Sequence, residues 1–295
     1  MRYKAEFKNK ATTMNKLRLL GILLLGLSLS MATSCKKDDD TNDDNGDGGN
    51  SPGAKTCLLK KSTYDDGTYE TYDFDSHDRI VKLTEFDNSG SKDTELKFLY
   101  DNNGLFMEFN IIDAGDSAMK VQMFYHTGSS KPDSAKVFMN GGNALAHVST
   151  INYTFSGDQL VKTETKADPF NTGTKTIVSK NEYTYSGKNV TRVTQYILNA
   201  STGNMDLSAT IEYTYDDKIN PYKGIGVDYF MGEVQFLSEN NYLKMTYMDA
   251  QGTVNQKESY NYTYEYNANS YPVKITEKDF ANTKSNTTVM EYNCK

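Results

Sequence analysis

The chain has 295 residues, of which 37% are hydrophobic and 12% aromatic, with 22 Tyr, 13 Phe and no Trp. This length suits one large β domain or two smaller ones, and aromatic and β-branched residues favour pleated, half-buried strands. After residue 30 the sequence has no apolar run long enough to cross a bilayer as a helix, which excludes a polytopic helical membrane protein.

The first predicted element is a targeting segment. Lys16 and Arg18 precede the apolar run Leu19–Leu29, which is too short to span a bilayer and is typical of a secretory signal peptide. We therefore assign residues 1–34 to a leader that is removed, and we expect translation to start at Met14.

The end of the leader indicates lipidation. The tetrapeptide Ala32-Thr33-Ser34-Cys35 resembles the bacterial lipoprotein box, although Ala32 stands where that box usually has Leu. The resemblance implies that Cys35 carries the lipid and becomes the mature N-terminus. An ordinary signal peptide that leaves a free Cys35 is the alternative.

Removal of the leader makes the protein strongly acidic. Residues 1–34 contain six basic residues and one acid, so the net charge changes from -7 to -12. This charge disfavours nucleic acid and anionic headgroups as partners, and we expect membrane contact through the lipid anchor only.

An acidic tether follows at residues 35–53. It has no apolar side chain beyond the lipidated cysteine to bury, and it lacks the ordered spacing of an EF-hand, so we predict a solvated linker without a metal. The stretch SCKKDDD resembles the surface-export signal of Bacteroidetes lipoproteins. That resemblance implies an outer-membrane protein that faces the cell exterior.

Residues 54–295 repeat one short phrase, clearest in Ile151–Thr163 (INYTFSGDQLVKT). It consists of two aromatic residues spaced two apart, a turn, and a return strand with basic residues. Copies lie at Glu70–Thr84 and Leu96–Glu108 and around the pairs Tyr153/Phe155, Tyr183/Tyr185, Tyr213/Tyr215 and Tyr264/Tyr266, with a half copy at Val289–Tyr292. Recurrence at 26 to 30 residues indicates one repeated supersecondary unit.

The spacing of the aromatic residues predicts an all-β fold. Side chains alternate across a strand, so both rings of a Tyr-x-Tyr pair lie on one face and the polar residue between them lies on the other. The simplest topology is an antiparallel up-and-down meander of roughly fifteen strands, curled or closed into a barrel with the Tyr rows inside. The outer face is too polar for a lipid-facing band, so we predict a soluble rather than membrane-spanning barrel.

Two resemblances accompany this pattern. FDSHDRIVKLT, residues 74–84, is similar to the tyrosine-aspartate (YD) repeat of Rhs-type proteins, with Asp78 where Gly is usual. YTYDDKINPY, residues 213–222, and the terminal EYNC resemble a group of Bacteroidetes lipoproteins with a domain of unknown function. That resemblance implies a porin-like β fold over residues 57–295 and no assigned activity.

Two cysteines besides Cys35 lie at the ends of the repeat array. Cys57 and Cys294 form a disulfide in an exported protein if the first and last strands are adjacent. Two buried free thiols are the alternative, because sequence gives no distance between them.

The stretch Pro221–Tyr247 breaks the rhythm of the repeat and is the candidate binding segment. Inserted loops often carry function, and this one is rich in aromatic residues and Gly. Its candidate ligand contacts are Tyr222, Tyr229, Phe230, Phe236 and Tyr242. A degenerate hairpin is the alternative interpretation.

Other chemistry is weakly indicated. Asp-Ser-Ala tripeptides place Ser117 and Ser134 in predicted loops as possible O-glycosylation sites, by resemblance to the Bacteroidetes acceptor. The three histidines are far apart, and no nucleotide-binding or hydrolase motif is present, so we predict no catalytic residue, no metal and no cofactor.

Three functional hypotheses remain. The first is a lipid-anchored, non-catalytic module that binds a glycan or protein or serves as an envelope component. The second is a barrel that carries a small apolar ligand in its lumen. The third is a hydrolase with residues scattered on loops.

Overall fold

Sixteen antiparallel strands make up nearly all of the computed structural model, which describes residues 56–113, 115–140, 144–169 and 172–295, without the Phe230 side chain. The leader, Cys35 and the acidic tether lie outside the described residues. The strands are β1 Cys57–Tyr64, β2 Tyr69–Phe74, β3 Ile80–Phe86, β4 Lys92–Tyr100, β5 Phe106–Asp113, β6 Asp116–Phe124, β7 Ser134–Asn140, β8 Leu145–Ser156, β9 Gln159–Ala167, β10 Thr176–Ser186, β11 Asn189–Leu198, β12 Met205–Ile219, β13 Asn240–Asp249, β14 Tyr260–Tyr266, β15 Pro272–Asp279 and β16 Ser285–Cys294.

The sheet closes on itself. Each strand pairs with its neighbours in sequence, and β1 pairs with β16 from Cys57↔Cys294 to Tyr64↔Thr288. The prediction of an all-β up-and-down meander is confirmed, with sixteen strands rather than roughly fifteen and with full closure. Closure leaves no unpaired strand edge within this sheet.

The aromatic rows face the interior, as the strand period requires. In β14 the four tyrosines at 260, 262, 264 and 266 are half-buried, while Asn261, Thr263 and Glu265 between them are exposed on the outside. β8 shows the same alternation, with Ile151 and Tyr153 buried and Thr154 exposed. Inward tyrosines and outward polar residues therefore explain the polarity of the repeated phrase.

A β-bulge explains why the second aromatic residue of the phrase is usually Tyr. In five hairpins one residue just after the turn has no partner: Val81, Met107, Val161, Thr191 and Val273. The bulge disrupts the ladder and leaves the carbonyl of the preceding residue available. A tyrosine hydroxyl from the next strand region donates to each of these carbonyls at 2.6 to 3.0 Å, in the pairs Tyr100–Ile80, Tyr125–Phe106, Tyr185–Leu160, Tyr215–Val190 and Tyr292–Pro272. This tyrosine hydrogen bond thus joins each repeat unit to the preceding one.

The turns that close the units follow a shared chemistry. The Asp101 carboxylate accepts hydrogen bonds from the backbone N–H groups of Asn103 and Leu105, and Gly104 between them has a φ of 84°. Asp78 stands at the corresponding place in the β2–β3 turn with a φ of 61°. Asp is among the few residues that tolerate this left-handed conformation, so it can replace the Gly of the YD-like pattern.

The two chain ends of the barrel meet at a disulfide. The Sγ atoms of Cys57 and Cys294 are 2.03 Å apart, with 237 residues of sequence separation. Of the two interpretations left open by the sequence, the structure contains the bridge. It lies on the seam where the first strand meets the last.

The two serines of the Asp-Ser-Ala tripeptides are not in loops as we expected. Ser117 lies in β6 and Ser134 begins β7, because both tripeptides continue directly into alternating strand sequences. The Ser117 Oγ has less than 1 Å² of solvent-accessible surface and no hydrogen-bond partner among the described residues. A sugar on Ser117 would therefore require β6 to open locally.

The longest irregular connection joins β12 to β13 at residues 220–239. It contains a 3-10 turn, Phe230–Gly232, and one helical turn, α1 Val234–Leu237. Of the predicted segment Pro221–Tyr247, the residues from Asn240 onward belong to β13, which pairs antiparallel with β12, and the residues between the two strands fold back onto the barrel wall. None of the helices in the described part of the chain is long and apolar enough to cross a membrane.

Candidate functional site

Residues 220–239 close one end of the barrel, and we call them the plug. The Ile80 N–H donates to the Ile225 carbonyl at 2.9 Å, and the Val190 N–H donates to the Ser238 hydroxyl at 3.1 Å. The Tyr229 ring packs edge-on against Phe155 with centroids 4.9 Å apart. The plug therefore bonds to β3, β8 and β11, on well-separated parts of the wall.

Close packing holds the plug where Gly232 meets the wall. Gly232 has a φ of 75°, and a Cβ there would overlap the Tyr183 hydroxyl and lie 3.2 Å from the Thr163 methyl. Gly224, at the other end of the plug, has a similar φ of 77°, but a Cβ there would meet no atom within 4 Å. Of these two glycines, only Gly232 is thus required both by backbone conformation and by space.

We expect Gly232→Ala to destabilise the protein more than Gly224→Ala. Both variants place an L side chain at positive φ, at a cost of about 1–2 kcal/mol. Gly232→Ala adds overpacking against Tyr183, worth roughly a further 1–3 kcal/mol. Urea unfolding of both variants measures the difference, and equal losses of unfolding free energy would show that Gly232 does not pack against the wall.

Beneath the plug the barrel encloses a space that we call the lumen. Glu70, Tyr213 and Glu233 lie deep within the protein, yet each is only half-buried by surface area. These three side chains therefore face the inside of the barrel without being fully packed. The lumen is thus lined by carboxyl groups and tyrosine rings.

One wall of the lumen carries two neighbouring carboxyls. Glu70 on β2 is in register with Glu85 on β3, and the Tyr72 hydroxyl donates to Glu70 at 2.6 Å. Burial raises the pKa of Glu70, opposed by hydrogen bonds from Tyr72 and Tyr64. Burial, together with the negative charges of Glu70 and Asp93, raises the pKa of Glu85 to about 7. The Glu85 carboxyl is therefore partly protonated near neutral pH.

A third carboxyl enters the lumen from the plug. Glu233 occupies the N-cap position of α1 in extended conformation, where a carboxylate commonly bonds to the helix, but its side chain makes no capping hydrogen bond. Burial raises its pKa to about 8. Glu233 also adds to the raised pKa of Tyr183, Tyr213 and Tyr242, which places it close to those three rings.

Another part of the wall is aromatic. Three tyrosines lie on three neighbouring strands: Tyr213 on β12, Tyr242 on β13 and Tyr262 on β14. Their ring centroids are 5.7 Å apart for Tyr213–Tyr242 and 4.9 Å apart for Tyr242–Tyr262, with the second pair at 78°. Glu277 on β15 is in register with Tyr262 and accepts a hydrogen bond from the Asn286 amide at 2.6 Å.

The structure separates the five aromatic residues that the sequence singled out. Tyr222 reaches into the lumen, where burial and the negative charge of Glu70 raise its pKa, and it meets Phe236 edge-on at 6.4 Å. Tyr229 lies at the rim and donates to the Asp158 carbonyl at 3.3 Å. Tyr242 belongs to β13 rather than to the inserted segment, and the Phe230 side chain lies outside the described residues. Tyr222 and Tyr242 are the two that face the lumen.

Sequence reasoning missed the lumen carboxyls. Glu70 and Glu277 share the strand face of Tyr72 and Ile275, two residues away in each case, so an acidic residue at an inward position of the period was the available signal. Glu233 carried no such signal, because it lies in an irregular segment without a period.

One histidine lies beside a carboxylate. The His126 Nδ1 lies 2.8 Å from the Asp133 carboxylate, but both side chains are more than half exposed on the β6–β7 turn and no hydroxyl or thiol joins the pair among the described residues. In the ranges that the structure describes, no group of three or more His, Cys, Asp or Glu is arranged to hold a metal ion.

The fold and the lumen together define a closed β-barrel whose interior is occupied in part by its own chain. No protein-family model matches the sequence, and no curated protein matches it. Among solved structures, the chain is similar to a porin-like protein from Bacteroides vulgatus ATCC 8482, with a TM-score of 0.52, 14% identity, and coverage of 81% of this chain and 99% of that one.

Two further structures are similar at lower scores. A porin-like protein from Bacteroides uniformis ATCC 8492 has a TM-score of 0.49, 11% identity, and coverage of 80% of this chain and 98% of that one. A DUF3836 family protein from Bacteroides vulgatus ATCC 8482 has a TM-score of 0.26 and 19% identity, and the match covers 30% of this chain and 90% of that one. At these identities the likeness extends to the fold alone.

Proposed function

We propose that the protein is a lipoprotein of the bacterial outer membrane, anchored through Cys35, whose barrel stands in water and acts as a non-catalytic binding module. The observation that carries the proposal is a barrel with a polar exterior, closed at one end by its own plug over a lumen lined by tyrosines and carboxyls. Its fold likeness to porin-like proteins of Bacteroides supports an envelope location.

The outer surface supports a barrel in water rather than in lipid. Ion pairs join neighbouring strands on that surface: Lys82–Asp73, Arg192–Glu212 and Lys274–Glu265. The most exposed large apolar residues there, Leu99 and Val289, stand opposite Glu108 and Lys274. A lipid-facing barrel needs an apolar band roughly 25 Å tall, in which a midplane Lys or Arg costs about 2–4 kcal/mol.

The lumen favours a polar ligand over a small apolar one. A ligand without polar groups would offer no hydrogen bond to the Glu233 carboxyl, which makes no capping bond at α1, and covering an unpaired polar group is costly. The plug also occupies part of the volume that a lipid-carrying shell would leave open.

Exchange of the leader tests the anchor and the environment of the barrel together. Residues 1–35 are replaced by an ordinary secretory signal peptide, and cell fractions of the variant are compared with those of the unaltered chain. We expect the variant to move from the membrane fraction to the soluble fraction, since the lipid is the proposed membrane contact. A variant that stays in the outer membrane would show that the barrel itself is embedded and would refute the proposal.

Protease treatment of intact cells tests the orientation. We expect the unaltered chain to be degraded by added protease, as the acidic SCKKDDD segment implies exposure on the cell exterior. Full protection in intact cells, lost when the outer membrane is permeabilised, would place the protein in the periplasm.

A further inference from the structure

A patch of basic side chains lies on the outer face of the barrel, on strands β7 to β9. Lys136 on β7 and Lys166 on β9 stand opposite Thr150 on β8, one on each side, in the ladders that join the three strands. Neighbouring strands are about 4.8 Å apart, so the two lysines project from strands roughly 10 Å apart with the threonine between them. Ile151, next to Thr150, is buried inside the barrel, so Thr150 and the two lysines face outward.

His147 and Lys175 extend this basic patch. The His147 Nε2 lies 3.0 Å from both the Thr150 hydroxyl and the Ser149 carbonyl, and the Lys175 Nζ lies 2.8 Å from the His147 Nδ1. Because a carbonyl can only accept, Nε2 carries the proton and Nδ1 accepts a hydrogen bond from the Lys175 ammonium. Burial lowers the pKa of His147, and the positive charges of Lys175 and Lys136 lower it further. Three ammonium groups, an imidazole and a hydroxyl thus share one surface.

The three lysines of the basic patch make no ion pair with any described residue. Lys136 lies instead over the Phe124 ring, with its Nζ 4.7 Å from the ring centroid. The carboxylates that point outward around the patch are paired with other lysines: Glu108 with Lys120, Glu164 with Lys162 and Glu182 with Lys180. The patch therefore carries uncompensated positive charge on a chain whose net charge is -7.

Apolar surface adjoins this charge. The Phe138 ring packs against the His147 ring with centroids 5.3 Å apart, and Val148 and Met139 beside them are 37% and 39% exposed. A sugar ring presents an apolar C–H face together with its polar groups. An acidic sugar can therefore use the lysines and the apolar surface at once, whereas an inorganic anion would use the charge alone.

We propose that this outer face binds an acidic polysaccharide, whose carboxylate or sulfate groups pair with Lys136, Lys166 and Lys175. Hydrogen bonds between an ammonium and an anionic oxygen are among the strongest in proteins. The site lies on the outer wall, so the inference goes beyond the proposed function and does not depend on what the lumen binds.

The acidic surroundings favour a thin chain over other anionic partners. A bilayer or a nucleic acid duplex presents an extended anionic surface that would also meet the acidic remainder of the protein. A single polysaccharide chain contacts the patch, and repulsion from exposed charges more than about 8 Å away is largely screened at physiological salt. The closed sheet offers no free strand edge with which an acidic peptide could pair.

Three polysaccharides of matched length test the proposal on the full chain: polygalacturonate, dextran sulfate and uncharged dextran. The chain, purified in a nonionic maltoside detergent, is titrated with each in a calorimeter at a salt concentration of about 0.15 M. We expect at least one of the two charged polysaccharides to bind and uncharged dextran not to bind. The tighter of the two shows whether the patch prefers carboxylate or sulfate groups. The affinity should fall as salt is added, because binding of a polyanion releases its counterions.

Two triple variants with the same change in net charge locate the site. The patch variant carries Lys136→Gln, Lys166→Gln and Lys175→Gln. The control variant carries Lys60→Gln, Lys257→Gln and Lys278→Gln, which are exposed lysines on or near β1, β14 and β15, across the sixteen-strand ring from β8. We expect the patch variant to bind at least about tenfold more weakly and the control variant to keep its affinity. Urea unfolding of both variants checks that they fold.

The proposal is overturned if neither charged polysaccharide binds, if uncharged dextran binds as tightly as they do, or if the two triple variants lose affinity equally. Poly-aspartate is the remaining comparison. If it binds as tightly as the charged polysaccharides, the partner is an acidic peptide rather than a glycan, and the proposal is wrong. Weaker binding of poly-aspartate, together with loss of polysaccharide binding in the patch variant alone, supports the acidic polysaccharide.

Discussion

Replacing both Cys57 and Cys294 by Ser should lower the free energy of unfolding by about 2–5 kcal/mol. In the native barrel β1 and β16 already pair over seven residue positions, so the bridge adds few contacts to the folded state. Its contribution comes from the unfolded chain, where it joins two points separated by 237 residues and removes much of the conformational freedom of that long loop.

Reduction of the unaltered chain is the matched control. Urea unfolding of the oxidised chain, the reduced chain and the double variant should give one high and two lower, similar free energies. The double variant is preferable to a single one, because a lone remaining thiol can form mixed disulfides. Equal stability of oxidised and reduced chains would mean that the bridge contributes nothing to the closed barrel.

Glu233→Gln should make the barrel more stable at alkaline pH. The native pKa of Glu233 is about 8, above the value of 4.5 for an exposed Glu, so between these values the folded state binds more protons than the unfolded state. The sign of the linkage is therefore negative: the Glu233 contribution is fully present below about pH 4.5 and is lost as the pH rises toward 8. Glutamine cannot ionise, so the variant does not lose this contribution to stability as the pH rises.

The expected size of this stability change follows from the pKa shift of Glu233. The full pKa shift would change the free energy of unfolding by more than this, but Glu233 keeps some accessible surface. Between pH 5 and pH 9 we therefore expect the free energy of unfolding of the variant to rise by about 2–4 kcal/mol relative to that of the unaltered chain. Glu70 and Glu85 have pKa values raised in the same direction, so the variant keeps a smaller slope of the same sign. Glu239→Gln is the control, and a Glu233→Gln curve parallel to that of the unaltered chain would contradict the prediction.

The strand period made the wall of the barrel predictable. Aromatic residues two apart gave the inward face directly, because β geometry allows one such assignment per strand, as the four tyrosines of β14 show. Closure was not predictable, since sequence shows which strands follow one another but not whether the last returns to the first. The tyrosine hydroxyl bonds to bulge carbonyls also escaped prediction, because the sequence does not show which carbonyl a bulge leaves available to a side chain on another strand.

The candidate site was predictable only in part. The broken rhythm at Pro221–Tyr247 located the segment that became the plug, and Tyr222 and Tyr242 do face the lumen. The direction of that segment, inward rather than outward from the barrel, depends on long-range contacts such as Ile225 with Ile80. Glu233 depends on the same contacts, because its burial comes from the wall and not from its neighbours in sequence.

The pairing of β1 with β16 also sets the order of events when the chain folds. The first strand pairs with β2 early, but it cannot pair with its second neighbour until the final ten residues of the barrel, Ser285–Cys294, have been synthesised. Contacts between distant parts of a sequence slow folding, and an incomplete sheet presents two bare edges on which other chains can add. A ribosome that stops short of the last strand would therefore release a sheet prone to aggregate, whereas the finished ring has no such edge.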